Sequence, residues 1–505
     1  MRRLAQGSGA LVAVFVAGCR ATVEAPQTEF PFEVPAAYAG SVSGASAEQP
    51  DSLESEAWWR SFGSSELDQV IDRVLAGNLE LREAWIRLDQ AAATVRITGA
   101  ERTPAVDLNA NARDQKLEQT GGGANQIPIR LGDTYSLGAS LRYELDLFGR
   151  IQAGLERERA TFRATEADLR ATALTLTGTA ADTWFGAVAS QAGLVLLEEQ
   201  IRIDENLLEV TENRLATGSG SLLDVLQQQR LLEATRAELP RLAGEVERAR
   251  NTLHVLLGQP PGGDGIVIPI RLPALPPLPN LDVPAALLNH RPDLVAAIHR
   301  IESADRDVAA GIAERYPRLS LSASFDFDGN EFSELFDRNI RSIAGSLVTP
   351  LIDGGSRRAE VDRRTAALEG ALLALSRSFL VALREVEDAL SLERRGLERT
   401  EILERQRGIA EREVSQARRR YTGGVDSYLS VLTATQSLQA LERQLVDEHV
   451  AVLRARAQLL RALGGPWTES LASSPSSGST GPSESTASAH SSPSAPLPSA
   501  ILTRP

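Results

Sequence analysis

The sequence predicts a mixed α and transmembrane β chain in which long helices and membrane-crossing strands come from one unit present twice. Three observations carry that reading. Residues 214–260 return at 420–466 without a gap, and about 17 of the 47 paired positions are identical. Two Pro-free stretches, 150–217 and 357–422, space their apolar residues as helices do. Four segments of about ten residues or more alternate apolar with polar side chains, two in each half.

The N-terminus comes first. Met1-Arg2-Arg3 is a basic start, residues 10–17 are apolar, and Val16-Ala17-Gly18-Cys19 follows. This is too short to span a bilayer permanently and reads as a secretory signal. Small residues before a cysteine resemble a bacterial lipobox, which makes Cys19 the expected lipidation site and 1–18 a signal peptide. The alternative is an ordinary signal with an incidental Cys. Two or three acyl chains would anchor the chain stably. Arg20 after the Cys favours, by analogy with bacterial lipoproteins, the outer membrane. Residues 19–57 are polar and Pro-bearing, as a lipid-anchored tether would be. Residues 468–505 are mostly Ser, Pro, Thr, Gly and Ala, which cannot bury enough surface to offset ordering, so a disordered tail is expected.

Between these ends lie two expected repeats, 58–260 and 284–467, joined by a Pro-rich linker at 261–283. Each opens with a shorter helical stretch, roughly 66–101 and 284–315. A β-hairpin follows, about 104–148 in the first half and 317–352 in the second. Val106, Leu108, Ala110 and Ala112 alternate with polar residues, and so do Leu137, Ala139, Leu141, Tyr143 and Leu145. Leu319, Leu321, Ala323, Phe325 and Phe327 do the same, then Ile343, Gly345 and Leu347. The hairpin tips are polar, at residues 121–125 and 329–331. Soluble sheets alternate too; the lipid anchor and the strand lengths favour the membrane.

A helical hairpin closes each repeat, about 150–258 and 356–463. A helix of about 65 residues would run close to 100 Å, so partner helices must lie alongside it. The partners enter through Gly-rich turns, Thr217-Gly218-Ser219-Gly220 and Thr422-Gly423-Gly424-Val425. Pro240 stands in the first hairpin where Val446 stands in the second, so a kink or break is expected there. Four strands cannot close a membrane barrel, because an open edge in lipid leaves backbone groups unpaired. Three chains would supply twelve strands, so the chain is expected to be an obligate trimer.

Composition excludes several functions. The net charge of −14 argues against a nucleic-acid partner, and one Cys excludes an internal disulfide or a Cys-based metal cluster. The five His residues, at 254, 290, 299, 449 and 490, show no ligand spacing. Asp326-Phe327-Asp328-Gly329 has its Gly too early for a calcium loop, and no Gly-rich stretch carries a P-loop Lys. No enzyme, cofactor or metal is expected.

Several motifs then stand in a particular order. They are Trp58-Trp59 with Phe62, Asn78-Leu79-Glu80-Leu81, Tyr143-Glu144-Leu145-Asp146-Leu147-Phe148-Gly149-Arg150, Arg291-Pro292-Asp293-Leu294 and Pro350-Leu351-Ile352-Asp353-Gly354-Gly355. With the 206-residue duplication, residues 19–467 resemble the TolC-like outer-membrane factors, in the lipoprotein branch that serves tripartite efflux pumps. The resemblance implies a trimeric twelve-stranded β-barrel in the outer membrane of a Gram-negative bacterium, continuing into a long α-helical barrel across the periplasm. It implies a passive exit duct for small molecules, partnered by a periplasmic adaptor (membrane fusion) protein and an inner-membrane pump.

In that family Thr217, Gly218, Ser219, Gly423, Gly424 and Val425 would contact adaptor hairpins; the same glycines also suit a tight turn. Some members place Asp rings at positions matching Ser430 and Thr433, where this chain has no acid. The gate candidates are Ser430 and Thr433 themselves and the nearby Asp224, Tyr421 and Asp426, with Arg214 and Arg420 beside them. Three-fold symmetry would make each of them a ring. Asp224 and Asp426 are equally compatible with solvated helix faces or salt bridges, and Tyr421 with packing. Two rival functions remain: an exit duct for secreted polypeptides, and a lipid-anchored periplasmic coiled-coil scaffold without a pore.

Overall fold

The structure, a computed structural model, describes residues 30–40, 57–117, 129–279, 281 and 283–469. The expected signal peptide, Cys19, the 121–125 tip and the tail beyond 469 lie outside these residues. In chain order the elements are α1 (Ser65–Gly77), α2 (Leu79–Ala100), β1 (Ala105–Leu117), β2 (Ile129–Leu145), α3 (Arg150–Ala216) and α4 (Leu222–Leu256). The second half repeats that order with α5 (Leu287–His290), α6 (Pro292–Ala313), β3 (Arg318–Gly329), β4 (Asn339–Val348), α7 (Ser356–Thr422) and α8 (Tyr428–Leu463).

The four strands form one antiparallel sheet in the order β1-β2-β3-β4. Its register aligns the apolar positions across every strand: Val106 pairs with Leu141, Leu141 with Ala323, and Ala323 with Ile343. Asp107, Ser140, Ser324 and Ser342 line up on the opposite face. A slip of one residue would mix the two faces, so the pattern itself fixes the pairing. β1 and β4 are free edges in a single chain, and every residue of β4 is exposed.

α3 and α7 each run 67 residues, about 100 Å at 1.5 Å per residue. Each folds back on its successor, α3 on α4 and α7 on α8. The main core lies where α1, α2, α3 and α8 meet, around Trp58, Trp59, Phe62, Trp184, Phe185 and Trp467. Trp59 and Trp467 meet edge to face at 4.9 Å, which ties the two ends of the body together. The tether residues Phe30 and Phe32 stack on Phe379 of α7, and the backbone N–H groups of Ala39 and Gly40 donate to the Glu387 carboxylate.

Four local expectations are adjusted. The 66–101 stretch is two helices, because Asn78 ends α1 and caps α2 by accepting from the Leu81 N–H. The 284–315 stretch is divided too, since Arg291 is extended ahead of Pro292, as residues before proline prefer. At Pro240, where a kink or break is expected, the chain does not break: α4 is continuous through it. Proline costs a helix about 3 kcal/mol, and the face buried on both sides, including Leu231, Leu232, Val246 and Leu253, outweighs that. Thr468, assigned to the tail, is buried in the body at 3% exposure.

The motifs acquire physical roles. Glu144 accepts two hydrogen bonds from Arg150 at 3.0 and 3.1 Å, bracing the turn from β2 into α3. Gly149 there has φ 78°, and Gly354 and Gly355 before α7 have φ 63° and 88°. Arg291 is 8% exposed and pairs with Asp293 and Glu385 while donating to the Ala462 carbonyl.

Candidate functional site at the hairpin tips

The two helical turns have one geometry. After α3, Gly218 has φ 73°; its N–H donates to the Leu215 carbonyl, and the Ser219 N–H donates to that of Arg214. After α7, Gly424 has φ 70°; its N–H donates to the Tyr421 carbonyl, and the Val425 N–H to that of Arg420. Both are Schellman motifs, in which a left-handed residue lets the last carbonyls of a helix find donors. Thr217, Gly218, Ser219, Gly423, Gly424 and Val425 are all exposed. They form the outermost surface of the hairpins, with Val425 68% exposed.

Behind the turns the first hairpin is bound to the second. The Tyr421 hydroxyl donates to Asp224 at 3.2 Å, joining α7 to α4. Arg214 of α3 lies over the Tyr421 ring at 4.5 Å and donates to the Thr422 carbonyl at 3.4 Å. Tyr421 meets Tyr428 edge on at 5.3 Å, and the Tyr428 hydroxyl donates to Gln228. Burial raises the Tyr421 phenol above its ordinary range, with Asp224 adding to the rise and Arg214 opposing it. It stays a neutral donor at physiological pH, as this hydrogen bond needs.

Asp426 does different work. Its carboxylate accepts from the Ser427 N–H at 2.8 Å and from the Ser430 hydroxyl at 3.2 Å, and pairs with Arg420 at 3.3 Å. The Ser427 N–H and Ser430 hydroxyl, then Arg420, hold it below the usual carboxylate range. The structure therefore brings Asp224 and Tyr421 together, gathers Asp426 with Ser430 in a cap at the start of α8, and leaves Thr433 exposed, bonded to its own helix.

Sequence reading did not find Gln228, Tyr428, Asp204 or Gln439. Gln439 of α8 donates to the Asp204 carboxylate of α3 at 3.0 Å, and Asp204 is 0% exposed. A signal was present: Asp204 falls in the apolar spacing of Leu197, Ile201 and Leu208, where an acid has no reason to be unless it has partners.

Among the described residues no cluster of acidic, His or Cys side chains could hold a metal ion. What the arrangement can do is mechanical: it clamps one helical hairpin against the other at its free end. A family profile described as outer membrane efflux protein matches residues 70–259 and 283–465.

The chain belongs to the outer membrane efflux protein family. OprJ, an outer membrane protein of Pseudomonas aeruginosa, is 30% identical over 93% of this chain and 98% of its own length. The pyoverdine export outer membrane protein OpmQ of Pseudomonas putida is 30% identical over 83% of this chain and 90% of its own. The cation efflux system protein CusC of Escherichia coli K12 is 28% identical over 90% and 98%. Among solved structures, the outer-membrane channel OprN superposes with a TM-score of 0.78 at 30% identity, covering 88% of this chain and all of that one. As an outer membrane efflux protein, the chain is a TolC-like factor, located in the outer membrane and serving as the channel component of an efflux system. Members of the family are channels and not enzymes. The helical and β regions described above are those of this fold.

Proposed function

We propose that three copies assemble into a continuous duct, a twelve-stranded barrel above and a helical barrel below, whose closed end is the pair of hairpin tips. One observation carries the reading: a four-stranded sheet with two free edges and a continuous apolar face cannot be at rest alone in lipid or in water. The helices agree with it. Leu373, Leu380, Ile402 and Ile409 of α7 are exposed in the single chain at 47% or more, a stripe that neighbouring copies would cover. The repeats 58–260 and 284–467 would then give the tube six similar hairpin pairs around a three-fold axis.

At the tips, Asp224, Tyr421 and Arg214 form the clamp, with Asp426, Ser430 and Thr433 lining the approach. Thr217, Gly218, Ser219, Gly423, Gly424 and Val425 present the surface that a periplasmic adaptor would engage, with the inner-membrane pump beyond it. Cys19 carries the lipid. The names of the relatives span pyoverdine, cations and solvents. A duct of one architecture thus serves chemically unlike cargo, so small-molecule selection belongs to the pump rather than to this chain.

Reconstitution of the purified protein in planar bilayers tests the proposal. A heat-resistant trimer with low conductance is expected, the conductance rising when Asp224→Ala and Asp426→Ala are combined. A monomer in mild detergent, or no conductance in either form, would sink it and favour the pore-free scaffold.

A further inference from the structure

Asp204 has the surroundings of a designed stress point. It lies on α3, about 20 Å from the tip turn at 1.5 Å per residue. Its side chain is completely buried. At its two oxygens it accepts from Gln439 of α8 and from the Thr235 hydroxyl of α4, each at 3.0 Å. Gln228 of α4 donates to its backbone carbonyl at 2.7 Å and accepts from Tyr428 of α8. Three helices from both hairpins thus converge on one carboxylate. A cavity of about 600 Å³ adjoins it, with Thr235 and Gln439 in its wall and Glu238, Arg241, Glu245 and Asp447 farther along.

No salt bridge accompanies this burial. Arg418 of α7 is the cation whose field reaches Asp204. From α8 the titratable neighbours are Tyr428, held neutral by burial, and one layer away Glu442 and Arg443, both bonded to Gln200. From α4 they are the cavity-lining Glu238, Arg241 and Glu245. Glu205 and Arg236 pair with each other at the exposed surface. A buried carboxylate with two neutral donors and no paired cation has given up hydration without full compensation.

We propose that Asp204 poises the tube for opening: the closed hairpins hold its carboxylate out of water, and parting α8 from α3 and α4 returns it to water. This rests on the reading that the tips are the closed end of the duct, and takes opening to part the α7–α8 hairpin from the α3–α4 hairpin there. The closed state therefore contains a stored desolvation cost that favours release, opposed by the Tyr421 clamp and the apolar packing below. Linkage gives the sign. Burial raises the Asp204 carboxyl above its ordinary range despite the Thr235, Gln439 and Gln228 donors. The closed state then binds the proton more tightly than a hydrated open state, so acid favours closure and rising pH favours opening.

Two substitutions separate this role from a merely structural one, because they are expected to act in opposite directions. Asp204→Asn keeps the shape and, with the Gln439 amide turned over, the hydrogen bonds; it removes the charge. Its open-to-closed ratio in planar bilayers should fall at least about fivefold, the lower end of ordinary coupling between sites. Gln439→Leu leaves the carboxylate buried with one donor fewer and should raise that ratio. As pH falls through the raised range of the buried Asp204 carboxyl toward the ordinary carboxylate range, the wild-type trimer should close progressively, whereas Asp204→Asn should lose most of that response. Residual dependence in Asp204→Asn would belong to Asp447, whose carboxyl burial also raises.

Opening in both variants, or a full pH response retained in Asp204→Asn, would overturn the proposal. The measurements are repeated on an Asp224→Ala background. If that background conducts as the wild type does but Asp204→Asn still closes the tube, the tip clamp fails and the Asp204 inference stands. If either variant fails to trimerise, hydrogen exchange of the α8 amides around Gln439 supplies the readout, slower in Asp204→Asn and faster in Gln439→Leu.

Discussion

Removing one oxygen from Tyr421 tests the clamp most directly. Tyr421→Phe deletes the hydroxyl that donates to Asp224 at 3.2 Å but keeps the ring under Arg214 and against Tyr428. A hydrogen bond to a charged acceptor contributes about 1.5–3 kcal/mol when well shielded, and the half-buried Asp224 places this one nearer 1 kcal/mol. Three clamps releasing together would shift the open-to-closed equilibrium by about 3 kcal/mol, roughly a hundredfold. Single-channel recording of the reconstituted trimer measures that ratio, and a cycle with Asp224→Ala apportions it. Non-additivity is expected, because either single change already breaks the bond. Unchanged conductance in Tyr421→Phe, with opening in Tyr421→Leu, would refute the hydrogen bond as the clamp and assign closure to ring packing.

Other predictions follow from the same geometry. Gly258→Ala and Gly464→Ala should each destabilise the body by about 1–3 kcal/mol, seen as a lower thermal midpoint by circular dichroism. Their φ values are 70° and 83°, and an added Cβ would fall 2.4 Å from the Gly77 carbonyl oxygen and 2.3 Å from that of His290. Glu393→Ala should cost about 3–5 kcal/mol, since it strands the buried Arg456 that binds both its oxygens at 2.6 Å; replacing both residues by Leu and Met should recover most of the loss. Asp426 contributes tip stability that is present above its ordinary carboxylate range and lost as pH falls through its lowered pKa. Hydrogen exchange at residues 423–430 should accelerate there in the wild type and show no such step in Asp426→Asn. Cys19→Ser should abolish acyl labelling, and persistence of the label would refute the lipobox.

The long elements were legible because their signals are repeated. Alternation over ten or more residues places Val106 and Leu141 on one face, and the register pairs them as that pattern requires. The turns at Gly218 and Gly424 were legible as well, because a left-handed residue at a helix end favours glycine. The site was legible only in part. Asp224, Tyr421 and Asp426 could be picked out as polar residues near the turns, but Asp224 and Tyr421, which bond to each other, lie 197 positions apart in the chain. Nothing in the sequence says that Tyr421 reaches Asp224 while Asp426 turns back on Ser427 and Ser430. At Pro240 local propensity left a break open, and the apolar face that holds α4 on both sides of it keeps the helix continuous.

The divergence between the two copies is where the tube acquires direction. At the 206-residue offset, Asp204 corresponds to Ala410, Gln228 to Ala434, Asp224 to Ser430 and Thr235 to Leu441. In the other sense, Tyr421 corresponds to Leu215 and Tyr428 to Leu222. The first hairpin thus holds Asp204, Asp224, Gln228 and Thr235, and the second holds the phenols that bond to Asp224 and Gln228. Leu222 is 58% exposed whereas its counterpart Tyr428 is 1% exposed, so the copies also differ in which surface they cover. Six identical hairpin pairs would make every interface around the tube equally strong and leave nothing to choose where it parts. Partitioning the polar partners makes the contact between hairpins of one chain unlike the contact between chains. In the proposed trimer, opening would then follow the interface where a buried carboxylate gains water, while the exposed apolar residues of α7 would hold the chains together.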